Sequence, residues 1–150
     1  MVLCASLKLE GRNVELKFYH AAMGFHPIAG DVFHPVAEVT PGQDNMERYE
    51  LYICSVLGAI AQTPKRCDQL LAFLASVEGG SQESASVGGN DVLLNIDASG
   101  VQVDILVNDD WIRQPESRFT LQEWRTILEK WKYLLELPKG SDEVVIVKLP

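Results

Sequence analysis

The stretch "SRFTLQEWRTILEKWKYLLELP" (residues 117–138) carries the strongest structural signal in the chain. Thr120 and Glu123 have the spacing of a capping box, in which each side chain satisfies the other residue's backbone amide. Phe119 precedes this cap and Trp124 lies at the fourth helical position, which is the arrangement of a hydrophobic staple. Apolar residues then recur at helical spacing, namely Leu121, Trp124, Ile127, Leu128, Trp131 and Leu135. The stretch therefore predicts an amphipathic helix that ends near the proline at its close.

A hairpin is predicted just before this helix, over residues 91–109, "DVLLNIDASGVQVDILVND". Apolar residues alternate with polar ones on both sides of the turn sequence "DASG", as expected for two antiparallel strands. The apolar positions are Val92, Leu94 and Ile96, then Val101, Val103, Ile105 and Val107. The second strand has Gln102, Asp104, Leu106 and Asn108 on its other side. One face of the hairpin is therefore predicted to be core and the other mostly polar.

Four further segments complete the predicted order. Residues 3–19 alternate around the turn "EGRN" and predict two short strands, and residues 143–149, "EVVIVKL", predict a closing strand. Residues 48–61, "RYELYICSVLGAIA", are apolar and begin with β-branched and aromatic residues, so we expect a buried strand, with a helix as the alternative. Residues 79–89 lack apolar periodicity and predict a loop.

A second helix is predicted to begin at Thr63-Pro64, since a hydroxyl at the N-cap and a proline at the first helical position are typical of helix starts. One face of this helix carries Cys67, Leu70, Leu71 and Leu74, and Gly79-Gly80 ends it. The order of strands, helix, hairpin, helix and strand predicts one α+β domain over residues 1–150. We expect a mostly antiparallel sheet with two helices packed on one face.

Composition agrees with a soluble globular protein of 150 residues, 47% hydrophobic and 23% charged. We expect no membrane span, because no apolar run reaches the roughly 18 to 20 residues that a span needs. The opening "MVLCASLKLEGR" has no basic leader, so we expect no secretory signal. The three cysteines are odd in number and lack CxxC spacing, which favours reduced thiols in a cytoplasmic protein.

Two His-Pro pairs, His26-Pro27 and His34-Pro35, stand in a near repeat. If the segment is extended, the two histidines lie roughly 26 Å apart, whereas zinc ligands lie within about 2.1 Å of the metal. Sharing a metal, with His20 as a third ligand, would require a fold-back around Gly30-Asp31. We therefore expect loop and strand-end residues, and no metal or cofactor. A small metal-dependent or histidine-using enzyme stays open as an alternative, although the sequence has no GxSxG, GxGxxG or Walker motif.

The negative charge is concentrated in one segment. Residues 78–123 contain nine acidic and two basic residues, so they carry −7 of the formal net charge of −8. Such a surface repels phosphate backbones, so we expect no nucleic-acid binding, but it would attract a cationic protein. The alternative is a solvated face that only keeps the protein soluble.

The candidate partner-binding residues lie in and before "VNDDWIRQPESRFTLQEW" (residues 107–124). A loop held between a strand and a capped helix would present anchors at low entropy cost, and tryptophan is a preferred anchor. The predicted contacts are Asp104, Asp109, Asp110, Trp111 and Glu116. The alternative is that Trp111 and Ile112 cap the core while the acids only face water.

The acidic strand end followed by residues 117–138 resembles the ending of small bacterial immunity proteins of polymorphic and contact-dependent growth inhibition toxin systems. This resemblance covers about the last 60 residues. It implies a non-catalytic, cytosolic protein that binds a cognate toxin domain and occludes its active site. Many such toxins are nucleases with basic surfaces, which an acidic face would match. An adaptor subunit of a larger assembly is a further alternative.

Overall fold

The computed structural model describes residues 14–149 and shows an α+β protein, which confirms the predicted class. The strands are β1 (Val14–His26), β2 (Gly30–Val39), β3 (Ser84–Gly89), β4 (Val92–Asp97), β5 (Gly100–Ile105), β6 (Arg118–Phe119) and β7 (Val145–Leu149). Helix α1 is built from Met46–Tyr49, the π-helical Glu50–Cys54 and Ser55–Ile60; α2 is Pro64–Glu78 and α3 is Leu121–Glu136. Two short 3-10 turns, Asp109–Trp111 and Pro115–Ser117, lie between β5 and β6.

The strands form two antiparallel sheets rather than the single sheet that we predicted. One sheet has the order β2-β1-β7 and the other has the order β3-β4-β5-β6. Helices α1 and α3 each contact strands of both sheets, so the buried face of each sheet packs against helices. The two predicted helices, α2 and α3, pack together and both contact the β3-β4-β5-β6 sheet, whereas the third helix, α1, was not predicted.

This third helix, α1, replaces the buried strand predicted over residues 48–61. Its buried side chains recur at intervals of three and four residues, which is helical periodicity: Tyr49, Tyr52, Ile53, Val56, Leu57 and Ile60. Leu51, Cys54 and Ala59 fall on the other side of the helix and are only partly buried. Their apolar character hid the period in the sequence and made the segment resemble a strand buried on both faces.

Helix α3 is confirmed together with its cap and forms the centre of the core. The Glu123 amide donates to Thr120 Oγ1 at 2.9 Å, and the Thr120 amide donates to Glu123 Oε1 at 2.9 Å. The ring of Trp131 meets Phe18 of β1 edge to face at 5.2 Å. Its indole nitrogen also donates to the Ala61 carbonyl at 2.8 Å, which ties α3 to the end of α1.

Three other predictions have clear outcomes. Helix α2 begins at Pro64 with the Thr63 hydroxyl accepting from the Arg66 amide at 3.1 Å, as predicted. The β4–β5 hairpin and the closing strand β7 are also confirmed. However, β5 ends at Ile105, and Val107, which was predicted to face the core, is 68% exposed. The loop predicted over residues 79–89 is wrong in its second half, because β3 pairs with β4 and buries Val87. With so few apolar residues, that strand left no period to detect.

The hairpin of β1 and β2 extends past the rest of its sheet. Strand β7 pairs with β1 only over Val14–Phe18, whereas β2 follows β1 as far as His26. We call residues 21–34 the arm. Several of its apolar side chains are exposed, with 58% of Met23, 74% of Phe25 and 92% of Ile28 accessible to solvent, whereas Phe33 is half-buried.

The strand predicted from residue 14 onward is confirmed as part of β1, whereas the strand predicted over the residues before it lies outside the described residues. Within residues 14–149, no helix combines the length and apolarity needed to cross a lipid bilayer.

Candidate functional site

An open groove of about 1000 Å³ lies between the start of α1 and the connection from β5 to β6. One wall comes from the turn before α1 and from its first residues, including the π-helical segment. The other wall comes from the two 3-10 turns of the β5–β6 connection. The lining residues are Gln43, Asp44, Asn45, Met46, Glu47, Arg48, Glu50, Leu51, Tyr52, Asp110, Trp111 and Glu116.

The groove is strongly acidic. Its lining has five carboxylates and one guanidinium, that of Arg48, which gives a formal net charge of −4. Arg48 is engaged by the protein itself: its Nε donates to the Glu116 carbonyl at 2.8 Å and its Nη2 to the Arg118 carbonyl. Its guanidinium also stacks 4.3 Å above the Phe119 ring. The carboxylates of the groove therefore lack an internal cation to neutralise them within the described lining.

Three of the five predicted contact residues line this groove: Asp110, Trp111 and Glu116. Asp109 is exposed next to Asp110 but is not part of the lining. Trp111 is half-buried, since part of its side chain packs against the core and the rest lines the groove. Trp111 therefore also helps to cap the core, which was the alternative interpretation of this residue.

Asp104 has an internal position instead. It is 3% exposed, and its Oδ1 accepts from the Arg113 amide at 2.7 Å while its Oδ2 accepts from Asn95 Nδ2 at 3.0 Å. Arg113 has a left-handed backbone (φ 54°), which a non-glycine residue adopts only where its surroundings hold it. The structure therefore gives Asp104 the role of fixing the loop, and its buried carboxylate is not available as a surface contact.

Further hydrogen bonds hold the rest of the connection. Asn108 Oδ1 accepts from the Asp110 amide at 2.9 Å and so caps the first 3-10 turn. Gln102 of β5 donates from Nε2 to the Gln114 carbonyl at 3.1 Å. Together with Asp104, these side chains fix the backbone on both sides of Trp111. The groove wall is therefore organised before any partner binds.

Sequence reasoning missed three groove acids, Asp44, Glu47 and Glu50. They lie in the half of the sequence whose net charge is only −2, so a count by segment concealed them. A helical interpretation of residues 46–60 could have found Glu47 and Glu50, because positions three apart share a side of a helix. Asp44 lies in the turn before the helix. Glu50 also opens the π-helical segment, and such segments occur often at functional sites.

Tyr52 is a further groove residue that the sequence did not suggest. Its side chain is 2% exposed, yet it lines the groove. Among residues 14–149, no group forms a hydrogen bond with its hydroxyl. Burial raises the pKa of Tyr52, and the nearby negative charges of Glu116 and Asp104 raise it further. The hydroxyl therefore stays protonated at neutral pH, with the capacity both to donate and to accept.

Other acids of the predicted acidic segment serve local structure. The Glu78 carboxylate pairs with Arg125, and this hydrogen bond is the main reason that the pKa of Glu78 is lowered. The buried Glu123 carboxylate accepts from the Tyr49 hydroxyl at 2.9 Å; burial first, and then this negative charge, raises the pKa of Tyr49 to about 12. Residues 78–123 are thus not one continuous acidic face.

The histidines have structural roles in the hairpin. His26 Nδ1 accepts from the backbone amides of Ile28 and Ala29 at 3.1 and 3.2 Å, so His26 stabilises the turn. His20 Nε2 donates to the Leu134 carbonyl at 3.0 Å, at the end of α3. The chain does fold back between the His-Pro pairs, but His34 lies opposite Ala21 while His26 lies opposite Gly30. His26 therefore lies beside Gly30, four residues along β2 from His34, so the two histidines are about 13 Å apart.

The described residues offer little for metal or thiol chemistry. Residues 14–149 contain no group of three histidine, cysteine or carboxylate side chains placed to hold a metal ion. Burial raises the pKa of Cys54 to about 12 and that of Cys67 to about 11, so both are protonated at neutral pH. A protonated, buried thiol is a poor nucleophile.

Comparison with protein-family models, curated proteins and solved structures gave no match.

Proposed function

We propose that this protein is a non-catalytic immunity protein, which binds a cognate bacterial toxin domain through the acidic groove and so neutralises it. One observation carries the proposal: Asp110, Trp111 and Glu116 lie with further carboxylates around one open groove whose wall is fixed by hydrogen bonds within the loop and to β5. The resemblance of the C-terminal stretch to immunity proteins supplies the biological role. The chemistry of the groove supplies the kind of partner.

The charge of the groove favours a partner with a basic surface. A formal net charge of −4 within one concave site would concentrate a cationic protein near it and raise the association rate. The same charge repels nucleic acid. A nuclease toxin, whose own basic surface binds phosphates, meets this requirement, and an acidic protein on that surface would exclude the substrate.

Trp111 would act as the anchor among the carboxylates of the groove. Binding energy in protein interfaces is concentrated in a few central residues, and tryptophan is prominent among them. The fixed loop backbone lowers the entropy lost when Trp111 becomes fully buried. We therefore expect Trp111 to control the dissociation rate and the exposed acids to control the association rate.

The first experiment is capture of the partner from the native host with the full chain, followed by its identification. Binding kinetics are then measured at low and high salt for Trp111→Leu, Asp110→Asn, Glu116→Gln and Glu50→Gln. Glu83→Gln is the matched control, since Glu83 is exposed outside the groove. Trp111→Leu should cost about 2 kcal/mol or more of binding free energy, mainly through faster dissociation, whereas Glu83→Gln should change nothing.

The outcome also separates the alternatives. If all groove variants stay folded and bind like wild type at both salts, the groove is not the binding site. Loss of binding in an arm variant such as Phe25→Ser would then favour the adaptor alternative, in which exposed apolar side chains join a larger assembly. Asp104→Asn should weaken partner binding only indirectly, by loosening the β5–β6 connection that Asp104 holds through the Arg113 amide.

A further inference from the structure

The floor of the groove combines features that charge alone does not require. Tyr52 is only 2% exposed, and its hydroxyl has no hydrogen-bond partner among residues 14–149, yet it is not one of the fully buried unpaired atoms of this part of the chain. A hydroxyl without an internal partner at the end of a largely buried side chain keeps its hydrogen-bonding capacity for a ligand. The hydroxyl faces a lined cavity instead of the core, because Tyr52 is a lining residue. A ligand that donates a hydrogen bond there would meet an acceptor that residues 14–149 leave unused.

Two other groups accompany this hydroxyl. The Glu116 carboxylate is close enough for its charge to act on Tyr52, and its oxygens supply hydrogen-bond acceptors in the same lining. Trp111 supplies an aromatic surface in the same lining. A neutral oxygen acceptor, a carboxylate and an indole thus line the same groove.

We infer that the groove receives an arginine side chain of the protein partner, held between Tyr52, Trp111 and Glu116. This inference rests on the proposed function and names the contact at its centre. A guanidinium has five N–H donors in one plane, so it can bond a carboxylate and a hydroxyl together. Its flat, weakly hydrated surface also stacks on an indole.

A lysine fits this set of groups less well. Its ammonium is a compact, strongly hydrated charge with no planar surface to stack. It would satisfy the carboxylates but gain less from Trp111. The protein already shows the preferred geometry beside the groove, where the Arg48 guanidinium lies over the Tyr49 and Phe119 rings at 4.8 and 4.3 Å.

The test uses the full chain with hexa-arginine and hexa-lysine peptides, both with blocked ends and therefore of equal charge. Binding is measured by calorimetry and by tryptophan fluorescence, which reports on half-buried Trp111 because Trp124 and Trp131 are buried in the core. We expect hexa-arginine to bind about two- to fivefold more tightly than hexa-lysine. Tyr52→Phe should weaken hexa-arginine about two- to tenfold, because one planar guanidinium bonds Tyr52 and Glu116 together, and should weaken hexa-lysine less.

Tyr133→Phe is the matched control, because Tyr133 is 45% exposed on α3 and is not part of the groove. It should preserve the preference for arginine. Since the Tyr52 hydroxyl has no internal partner, Tyr52→Phe should fold like wild type, which a melting curve checks. A preference that disappears in Tyr52→Phe and persists in Tyr133→Phe supports the inference.

Equal binding of the two peptides to wild type, or an arginine preference that survives Tyr52→Phe, overturns it. If the two peptides bind equally, but more weakly at high salt and in Glu116→Gln, the groove still binds cationic ligands and the proposed function remains. If neither peptide binds, the arginine site is overturned, and capture of the partner by wild type but not by groove variants decides the proposed function separately.

Discussion

The β5–β6 connection (residues 106–117) is irregular but is held by the rest of the protein, whereas the arm is regular but has little support. The connection has only two 3-10 turns, yet side chains from β5 and α1 bond its backbone at several points. The arm is a regular hairpin, yet beyond Phe18 it has no third strand beside it within the described sheet. Regular hydrogen bonding therefore does not by itself show which segment is held firmly. Contacts with the rest of the protein decide local stability.

The two regions also differ in chemistry. The arm contains one carboxylate, Asp31, and exposes large apolar side chains. The groove beside the connection is lined mainly by acids with one half-buried indole. Charge acts over distance and favours capture of a partner, whereas apolar contact acts only after an encounter. Matched substitutions in the two regions test whether the contrast is real.

The largest expected difference is between two phenylalanines. Phe119 is 4% exposed, contacts the Tyr49 ring at 5.4 Å and lies under Arg48, whereas Phe25 is 74% exposed. Phe119→Ala should lower the free energy of unfolding by about 3 to 5 kcal/mol because it opens a cavity. Phe25→Ala should change it by less than about 0.5 kcal/mol. Urea melts of both variants measure this, and equal losses would show that the arm is packed in solution.

The next difference is between two aspartates. The carboxylate of the buried Asp104 side chain accepts two hydrogen bonds, and Asp104→Asn replaces one of its oxygens with an amide nitrogen, so that one donor must face another. We expect a loss of about 2 to 3 kcal/mol, typical of hydrogen bonds to charged groups. Asp31→Asn on the arm should be neutral within about 0.5 kcal/mol, because Asp31 is exposed.

Hydrogen exchange adds a local measurement for the Asp104 variant. The Arg113 amide should exchange faster in Asp104→Asn, since it loses its acceptor. A variant as stable as wild type, with Arg113 still protected, would contradict the role of Asp104 in fixing the groove wall.

The sequence predicted those elements whose signals are local. The box of Thr120 and Glu123 and the proline after Thr63 each depend on a few neighbouring residues, and both helices begin where expected. The alternation of apolar and polar residues along β4 and β5 was an equally local signal. By contrast, α1 is apolar on nearly all sides because it contacts both sheets, so its period was hidden. The division into two sheets depends on long-range pairing of β1 with β7, which no local pattern encodes.

The same distinction applies to the site. Asp110, Trp111 and Glu116 were predicted because they are close in sequence, and the structure places them around one groove. Glu47, Glu50 and Tyr52 join them only through the packing of α1 against β5, so their contribution could not be predicted without the helix. Asp104 was assigned to the surface from strand alternation. Its burial follows from the loop that folds over that face of β5.

A smaller effect is expected where the connection enters α3. Thr120→Ala removes one half of the capping box and should cost about 1 kcal/mol of unfolding free energy. Thr126→Ala is the control, since Thr126 lies inside the same helix, where alanine is the better helix former and the change should be neutral or slightly stabilising. Urea melts that show no difference between the two variants would mean that the cap does not limit the stability of α3.

The smallest effect is expected at the turn of the arm. His26 accepts two amide hydrogen bonds, but the turn is exposed and far from the core. His26→Ala should therefore leave the global free energy of unfolding within about 0.5 kcal/mol of wild type. It should still speed hydrogen exchange at Ile28 and Ala29, because both amides lose their acceptor. His34→Ala is the matched control, since His34 is also exposed but takes no part in the turn, and it should change neither quantity. A large global loss in His26→Ala would mean that the arm is coupled to the core as firmly as the groove wall, and the contrast between the two regions would fail.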